Sequence, residues 1–374
     1  MPRIDGVPGA REKKGAKMKR KNEVSERMKR PCALGVRAAA AFAVSAALVA
    51  GLALAGCGAF QPEQPASQAP ASDSEASAQK APAAYTFTDD MGNEVTVENP
   101  QRVVACMGSF ANAWELAGGT LVGASDDALS SEAYALSSPD VRTVGDFASI
   151  DLESILALDP DFVIMTSAKN GRGGGETSQV DLKDALDASG VPVAYFEVTV
   201  FDDYVRMMRT FCEITGRDDL YRENAERVEQ SISDIVEKAS ERKDAPTALL
   251  MTTFSRGTRV QASSSMTGDM LADLGARNLA DENRSLLSDF SLESVIELDP
   301  DFIFVLPMGN DSESAMRNLE AATSQNPAWS TLSAVENGRY IVLDPKMFMY
   351  KPNEKWDESY RVLAEYLYGK DAVS

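Results

Sequence analysis

The chemistry open to this chain is bounded first by an absence, since its 374 residues include no histidine. An imidazole base, a Ser-His or Cys-His nucleophile pair, and imidazole chelation of zinc or manganese are therefore excluded. The side chains left to build a site are methionines, aromatic rings and a few arginines. They gather in segments that read as loops at the carboxyl ends of apolar strands. Met107, Ser109, Phe110, Asp146 and Phe147 form one set. Phe254, Arg256, Phe290, Met308, Met347, Phe348 and Tyr350 form the other. Methionine and aromatic rings make an adaptable apolar cleft suited to a flat or bulky ligand. Arg256 adds a cation that could meet a carboxylate or another oxyanion. The pattern designates no catalytic residue, no metal ligands and no resident cofactor. The glycine run at 171–175 lacks the Lys-Ser/Thr ending of a nucleotide loop and opens no GxGxxG. Asp146 reads as a helix cap, and Trp114, Trp329 and Trp356 lie in helical patterns that read as core.

These loops need elements to hold them. The organising stretch is 218–243, where Tyr221, Ala225, Val228, Ile232, Ile235 and Ala239 lay one apolar stripe along a helix. No Gly or Pro lies between Gly216 and Pro246, so the spacing predicts an unbroken helix of roughly 40 Å. A repeat flanks it: residues 151–165 and 291–305 share Leu, Glu, Ser, Leu, Asp, Pro, Asp and Phe at a constant offset of 140. In each copy an apolar helical spacing is stopped by Asp-Pro, because the residue before proline is pushed out of the α region. A wholly apolar run follows, as in a strand covered on both faces. Helix, tight turn and buried parallel strand, given twice, imply two similar α/β lobes with the long helix between them. Further strands are expected at 102–106, 121–124, 191–196, 247–253 and 340–343. A hairpin is expected at 85–97, and helices at 201–216, 267–274 and 353–368.

Composition sets the surroundings. The net charge is −20, yet residues 1–56 alone carry +8, which leaves −28 for the rest. So acidic a body argues against nucleic acid as a partner. The leader has a basic stretch from Met28 to Arg37 and a short apolar run at 38–53. It then reads Leu54-Ala55-Gly56-Cys57, the pattern of a bacterial lipobox with Cys57 as the lipidated residue. Residues 57–84, rich in Ala, Ser, Pro and Gln, read as a flexible tether. The expected division is thus leader 1–56, tether 57–84, one lobe at 85–217, the linking helix at 218–243 and a second lobe at 244–374. Cys106 and Cys212 read as buried thiols, with a disulfide between them as the alternative.

Taken together, the chain resembles the substrate-binding lipoproteins of ABC importers for iron complexes, haem and cobalamin. The resemblance rests on the lipobox, the opening Phe-Thr-Asp-Asp-Met-Gly-Asn-Glu-Val-Thr-Val, Arg102-Val103-Val104, and Gly145-Asp146-Phe147 with Leu152 to Asp161. Asn326-Pro327-Ala328-Trp329 and Tyr350-Lys351-Pro352-Asn353 complete it. The resemblance implies a particular α/β fold class: two Rossmann-like lobes with mostly parallel central sheets, one rigid connecting helix and a ligand cleft between the lobes. It implies a binding protein rather than an enzyme, anchored to the extracytoplasmic face of the membrane through lipid on Cys57. The ligand would be an iron chelate of siderophore type, with haem or cobalamin as the alternative. An ABC permease with its ATPase would be the partner of a monomer. Acidic residues on both lobes would dock there, and Glu176 and Glu313 stand in comparable places. The 347–350 loop departs from the family in carrying methionine where a polar residue is more usual. A two-lobed α/β enzyme, such as a glycosyltransferase or chelatase, is the reading of another class.

Overall fold

The computed structural model describes residues 84–130, 134–168, 179–288, 290–309 and 312–370. The expected lipidation site Cys57, the 171–175 glycine run and Glu176 lie outside the described residues.

Two five-stranded sheets carry the fold. An antiparallel hairpin of β1 (Tyr85–Thr88) and β2 (Glu94–Val97) precedes the first. Its turn forms because the Asp89 carboxylate accepts from the Met91 and Asn93 N–H groups and from Asn93 Nδ2. The first sheet is parallel throughout. It uses β3 (Val103–Ala105), β4 (Leu121–Ala124) and β5 (Arg142–Thr143), then, after a minimal hairpin of β6 (Gly145–Asp146) and β7 (Ser149–Ile150), β8 (Phe162–Thr166) and β9 (Val193–Phe196). The strand order is β5-β4-β3-β8-β9. All residues of β3, β8 and β9 are buried, as covering on both faces requires.

The second sheet contains β10 (Thr247–Phe254), β11 (Gly257–Gln261), β12 (Arg277–Asn278), β13 (Phe302–Pro307) and β14 (Tyr340–Val342). Its order is β11-β10-β13-β14, with β12 also on β10, and only β10 with β11 is antiparallel. The β11 strand was not expected. It turns the segment after β10 from a loop into the tip of a hairpin.

The repeat explains much of this symmetry. The helices Leu152–Leu156 and Leu292–Leu298 each lead through Asp-Pro into a central strand. The prolines end the helices as expected, but by a left-handed residue: Asp159 has φ 47° and Asp299 φ 40°. Aspartate tolerates that region better than most side chains. The next aspartate of each copy staples the start of the sheet strand beside it. Asp161 accepts from the Gln101 and Arg102 N–H groups, and Asp301 from the Thr247 N–H and hydroxyl. In register, Val103 stands opposite Phe162 and Ala248 opposite Phe302.

The connector is helical from Asp218 to Ser240, three residues short of the expected end, and it is not uniformly α. Residues Arg222–Glu226 form a π turn, in which the Arg227 N–H donates to Arg222 O. The extra residue is accommodated because its neighbours bind it. The Tyr204 hydroxyl donates to Asn224 O, and Asn224 Nδ2 donates to Leu116 O. The connector is also braced. The C-terminal helix Trp356–Tyr368 packs along Arg227–Ser240, with Arg227 3.4 Å from Asp357. Trp356 of that helix meets Phe201 edge to face. Trp114, Trp329 and Trp356 are all core, as expected. Cys106 and Cys212 are free and buried, so the disulfide alternative is not realised. Among the described residues no helix is long and apolar enough to cross a membrane.

Candidate functional site

The carboxyl ends of parallel strands are where open α/β sheets bind ligands. In the first lobe β3 runs through Cys106 and Met107 into the helix Gly108–Leu116. Met107 is its N-cap position and offers no side-chain bond there. The Gly108 N–H is met instead by Asp127 Oδ2 at 2.9 Å, from the short helix that follows β4. Glycine at 108 is required by close approach. A Cβ there would lie 2.6 Å from Asp127 Oδ2 and 2.9 Å from two Tyr134 ring carbons. Tyr134 is thus laid across the N-terminus of this helix.

The second lobe reaches the same place through residues 350–353. Asn353, buried and left-handed at φ 50°, donates from Nδ2 to Ser109 O at 2.8 Å and Asn112 Oδ1 at 2.7 Å. This contact pins the lobes together at the Gly108 helix. Beside it, Lys351 is partly buried. Burial pulls its ammonium below the usual lysine range, and among charged groups Asp127 opposes that pull. The Tyr134 hydroxyl is pushed up by burial, then by Asp127 and more weakly Tyr350, while Ser109 pulls it down. Ser109 and Asn112 from one lobe therefore meet Asn353 from the other, while Asp127 and Tyr134 act electrostatically with Lys351 and Tyr350.

Some buried polar atoms have hydrogen-bonding capacity to spare. Asp127 Oδ1 and Asn353 Oδ1 are buried without a hydrogen-bond partner, as are Ser125 Oγ after β4 and Ser167 Oγ after β8. Tyr195 Oη and Trp356 Nε1 are buried and unpartnered too, so such atoms are not confined to the seam.

The sequence-derived candidates divide. Ser109 and Tyr350 reach the seam, the latter 40 % exposed. Met107 is half-buried at the head of the Gly108 helix. Phe147 is exposed on the β6–β7 tip, where its carbonyl accepts from Gln179 Nε2 at 2.8 Å. Others are corrected. Ser109 and Phe110 are helical rather than loop residues, and Phe110 is fully buried edge to face on Phe196. The exposed-looking loop at 347–350 begins as the helix Pro345–Phe348. Phe348 lies in the core, and Met347 O accepts from the Ser359 hydroxyl. Phe290 packs against the second lobe's core. Phe254 closes β10 with Arg259 5.4 Å over its ring, and Arg256 is exposed at the β10–β11 tip. Met308 is half-buried just past β13, its N–H on Thr253 O. Asp146 caps no helix. It bonds the Ala148 N–H within the β6–β7 turn, and Asp151 is the helix cap.

Asp127, Tyr134 and Gln179 are not marked by any motif, and Lys351 and Asn353 stand in a motif of the resemblance without being site candidates. Gln179 is 2 % exposed and brackets three strand-end segments. Its Nε2 donates to Cys106 O at 2.7 Å and to Phe147 O, and its Oε1 accepts from the Thr166 N–H at 3.0 Å. Glu313 is exposed in the first turn of Ser312–Ser324, 3.4 Å from Arg317. It borders an open depression of about 310 Å³ with Pro307, Met316 and Glu320. That hollow lies on one lobe only and holds none of the orphaned atoms, so the seam is the better site. Among the described residues no group of three Cys, Asp or Glu side chains is placed to hold a metal ion.

Solved structures share this architecture. Staphylococcus aureus IsdE, solved with heme, is 17% identical with a TM-score of 0.58, covering 71% of this chain and 98% of its own. S. aureus SirA, solved with staphyloferrin B, is 20% identical with a TM-score of 0.57, covering 76% and 98%. An ABC transporter substrate-binding protein from Listeria monocytogenes EGD-e is 20% identical with a TM-score of 0.56, covering 72% and 98%. At such identities the likeness is one of fold. A comparison with curated protein sequences finds no match. The family model described as periplasmic binding protein matches residues 103–347, most of both lobes, and the chain belongs to that family.

Proposed function

We propose that this protein is an extracytoplasmic solute-binding lipoprotein that captures an iron complex and delivers it to an ABC import permease. The observation that carries the reading is the lobe seam, where Asn353 of one lobe bonds Ser109 O and Asn112 Oδ1 of the other at the head of the Gly108 helix, which follows a parallel strand's carboxyl end. Binding between two lobes buries a small molecule, and neither lobe alone supplies both sets of groups. Cys57 would hold the chain at the membrane through lipid. Glu313, exposed on the second lobe, and Glu176 would contact the permease, where exposed charges steer encounter and fix register rather than add much affinity. A siderophore-type chelate is the first ligand class. Haem is the second, favoured by the aromatic Tyr134 and Tyr350 at the seam.

Titration of the purified protein with ferric siderophores, haem and cobalamin, read by tryptophan fluorescence, tests the reading. One of them should bind with micromolar affinity or better. Binding of a sugar or peptide, and of none of these, overturns it.

A further inference from the structure

The first sheet changes direction between β3 and β8. From β3 the chain runs outward through β4 to β5, and from β8 it runs the other way to β9. Open α/β sheets bind ligands in the crevice that such a switch leaves beyond the carboxyl ends of the two strands. Here the Gln179 side chain occupies it. β3 and β8 pair as far as Ala105 and Ile164, and the Cys106 N–H still donates to Ile164 O at 2.9 Å. The next bond of a parallel ladder would run from the Thr166 N–H to Cys106 O. The Gln179 amide takes its place: Oε1 accepts from the Thr166 N–H at 3.0 Å, and Nε2 donates to Cys106 O at 2.7 Å. β8 meanwhile keeps its pairing with β9, with Thr166 opposite Phe196 and the Ser167 N–H on Phe196 O at 2.9 Å. A planar amide therefore parts the two strands at the switch point and satisfies both.

The wedge carries a second load. Nε2 also donates to Phe147 O at 2.8 Å, so both donors of the amide are used. Phe147 is at the tip of the β6–β7 hairpin, which follows β5 at the far edge of the sheet. That edge lies two and a half strand spacings from the gap between β3 and β8, about 12 Å at ~4.8 Å per strand. The hairpin therefore reaches back across the carboxyl ends of β4 and β3, and Gln179 holds its tip there. Its own ladder is slight: Gly145 pairs with Ile150 and Asp146 with Ser149. So short a hairpin does not hold its shape alone. The Phe147 ring is left 37 % exposed, and a ligand that covers it gains the burial of an aromatic face. We propose that Gln179 is a positioning residue for binding: it plugs the switch-point crevice and holds Phe147 over it, so that a bound solute rests on the Phe147 ring. The inference rests on the binding function above and deepens it.

A double-mutant cycle on affinity tests this, with haemin, cyanocobalamin, ferric enterobactin and ferric citrate as probes. For whichever probe binds the wild type, Phe147→Ala should weaken binding about tenfold or more, the worth of one buried aromatic ring. Gln179→Leu should weaken it by a similar factor, because Phe147 is no longer held. In the Phe147→Ala background the same change should alter affinity less than about twofold. A Gln179 that served the fold alone would leave the affinity of the folded protein unchanged in both backgrounds. Wild-type affinity in either single variant therefore overturns the inference. Losses that multiply in the double variant overturn it too, since the two residues would then act separately. Thermal unfolding of each variant separates a folding defect from a binding one. If Gln179→Leu does not fold, amide exchange at Thr166 carries the test. A saturating probe should slow that exchange in the wild type and much less in Phe147→Ala, and equal slowing in the two, or none in the wild type, overturns the inference. Should the wild type bind none of the probes, the proposed function fails and this inference with it.

Discussion

Replacing Gln179 by leucine should expose how the strand ends of the first lobe are held. The side chain is 2 % exposed and makes three hydrogen bonds, to Cys106 O, Phe147 O and the Thr166 N–H. Leucine fits the volume and makes none. Phe147 is 37 % exposed, so its carbonyl can turn to water. Cys106 and Thr166 are buried, and their groups would be left unsatisfied. At about 1–3 kcal/mol for each buried orphan, two cost about 2–6 kcal/mol. The leucine's own burial returns about 1–2 kcal/mol of that. A net loss of ~3 kcal/mol is expected, large against a typical stability of about 5–15 kcal/mol. Urea unfolding followed by tryptophan emission would measure it, since Trp114 is buried against Phe162 and Phe211 of the same lobe. Amide exchange at Thr166 should accelerate in parallel. A change under about 0.5 kcal/mol would show that the bracket is incidental.

Three further outcomes are expected. Asn353→Gly should destabilise less than Asn353→Ala by about 1 kcal/mol, because glycine accepts φ 50° while both lose the bonds to Ser109 and Asn112; equal losses in thermal unfolding would remove the conformational part of the argument. Asp301 is pushed up by burial but pulled further down by Thr247 and by Arg339 and Arg277, so its carboxyl lies below the usual range. Its stabilisation is complete above the unfolded value near pH 4 and is lost as pH falls through the lower folded value; Asp301→Asn should flatten stability against pH in that acid window and nowhere else, and an unchanged acid limb would refute it. Closure on binding should be small, because a braced helix connects the lobes; a large fall in the radius of gyration with ligand, seen by small-angle scattering, would contradict this.

Much of the architecture was legible because it follows local rules. The 151–165 and 291–305 repeat announced both central strands: Asp-Pro must end a helix, and a wholly apolar run must be covered on both faces. The asparagine and aspartates of 89–93 announced the first hairpin. What failed depended on context. Phe110 and Phe348 look like cleft residues because each follows a strand, but burial is decided by the neighbour that arrives from elsewhere, Phe196 in the first case. The segment Thr258 to Gln261 signals β11 only weakly, since Val260 is its one buried residue. The π turn at 222–226 has no Gly or Pro to mark it. Its cause is tertiary, the bonds of Tyr204 and Leu116 to Asn224. Gln179 and Lys351 were hidden more simply. Gln179 follows the glycine run and Lys351 stands inside the Tyr350-Asn353 motif, and polar residues show their worth only when their partners are known.

The helix Gly108–Leu116 joins the seam to the connector. At its N-terminus the second lobe grips it through Asn353, and Asp127 and Tyr134 lie over it at the seam. At its C-terminus the connector grips it, Asn224 Nδ2 on Leu116 O, while the Thr215 hydroxyl holds Ala117 O at 2.6 Å. One nine-residue element therefore touches the candidate ligand site, the opposite lobe and the connector's π turn. Packed elements move as units rather than bending continuously. A ligand that shifts the head of this helix would move its tail against Asn224, at the one place where the connector departs from regular α geometry. The π turn sits where a small displacement of the site would reach the joint between the lobes, and the hydrogen bonds that create it are those that would carry the displacement.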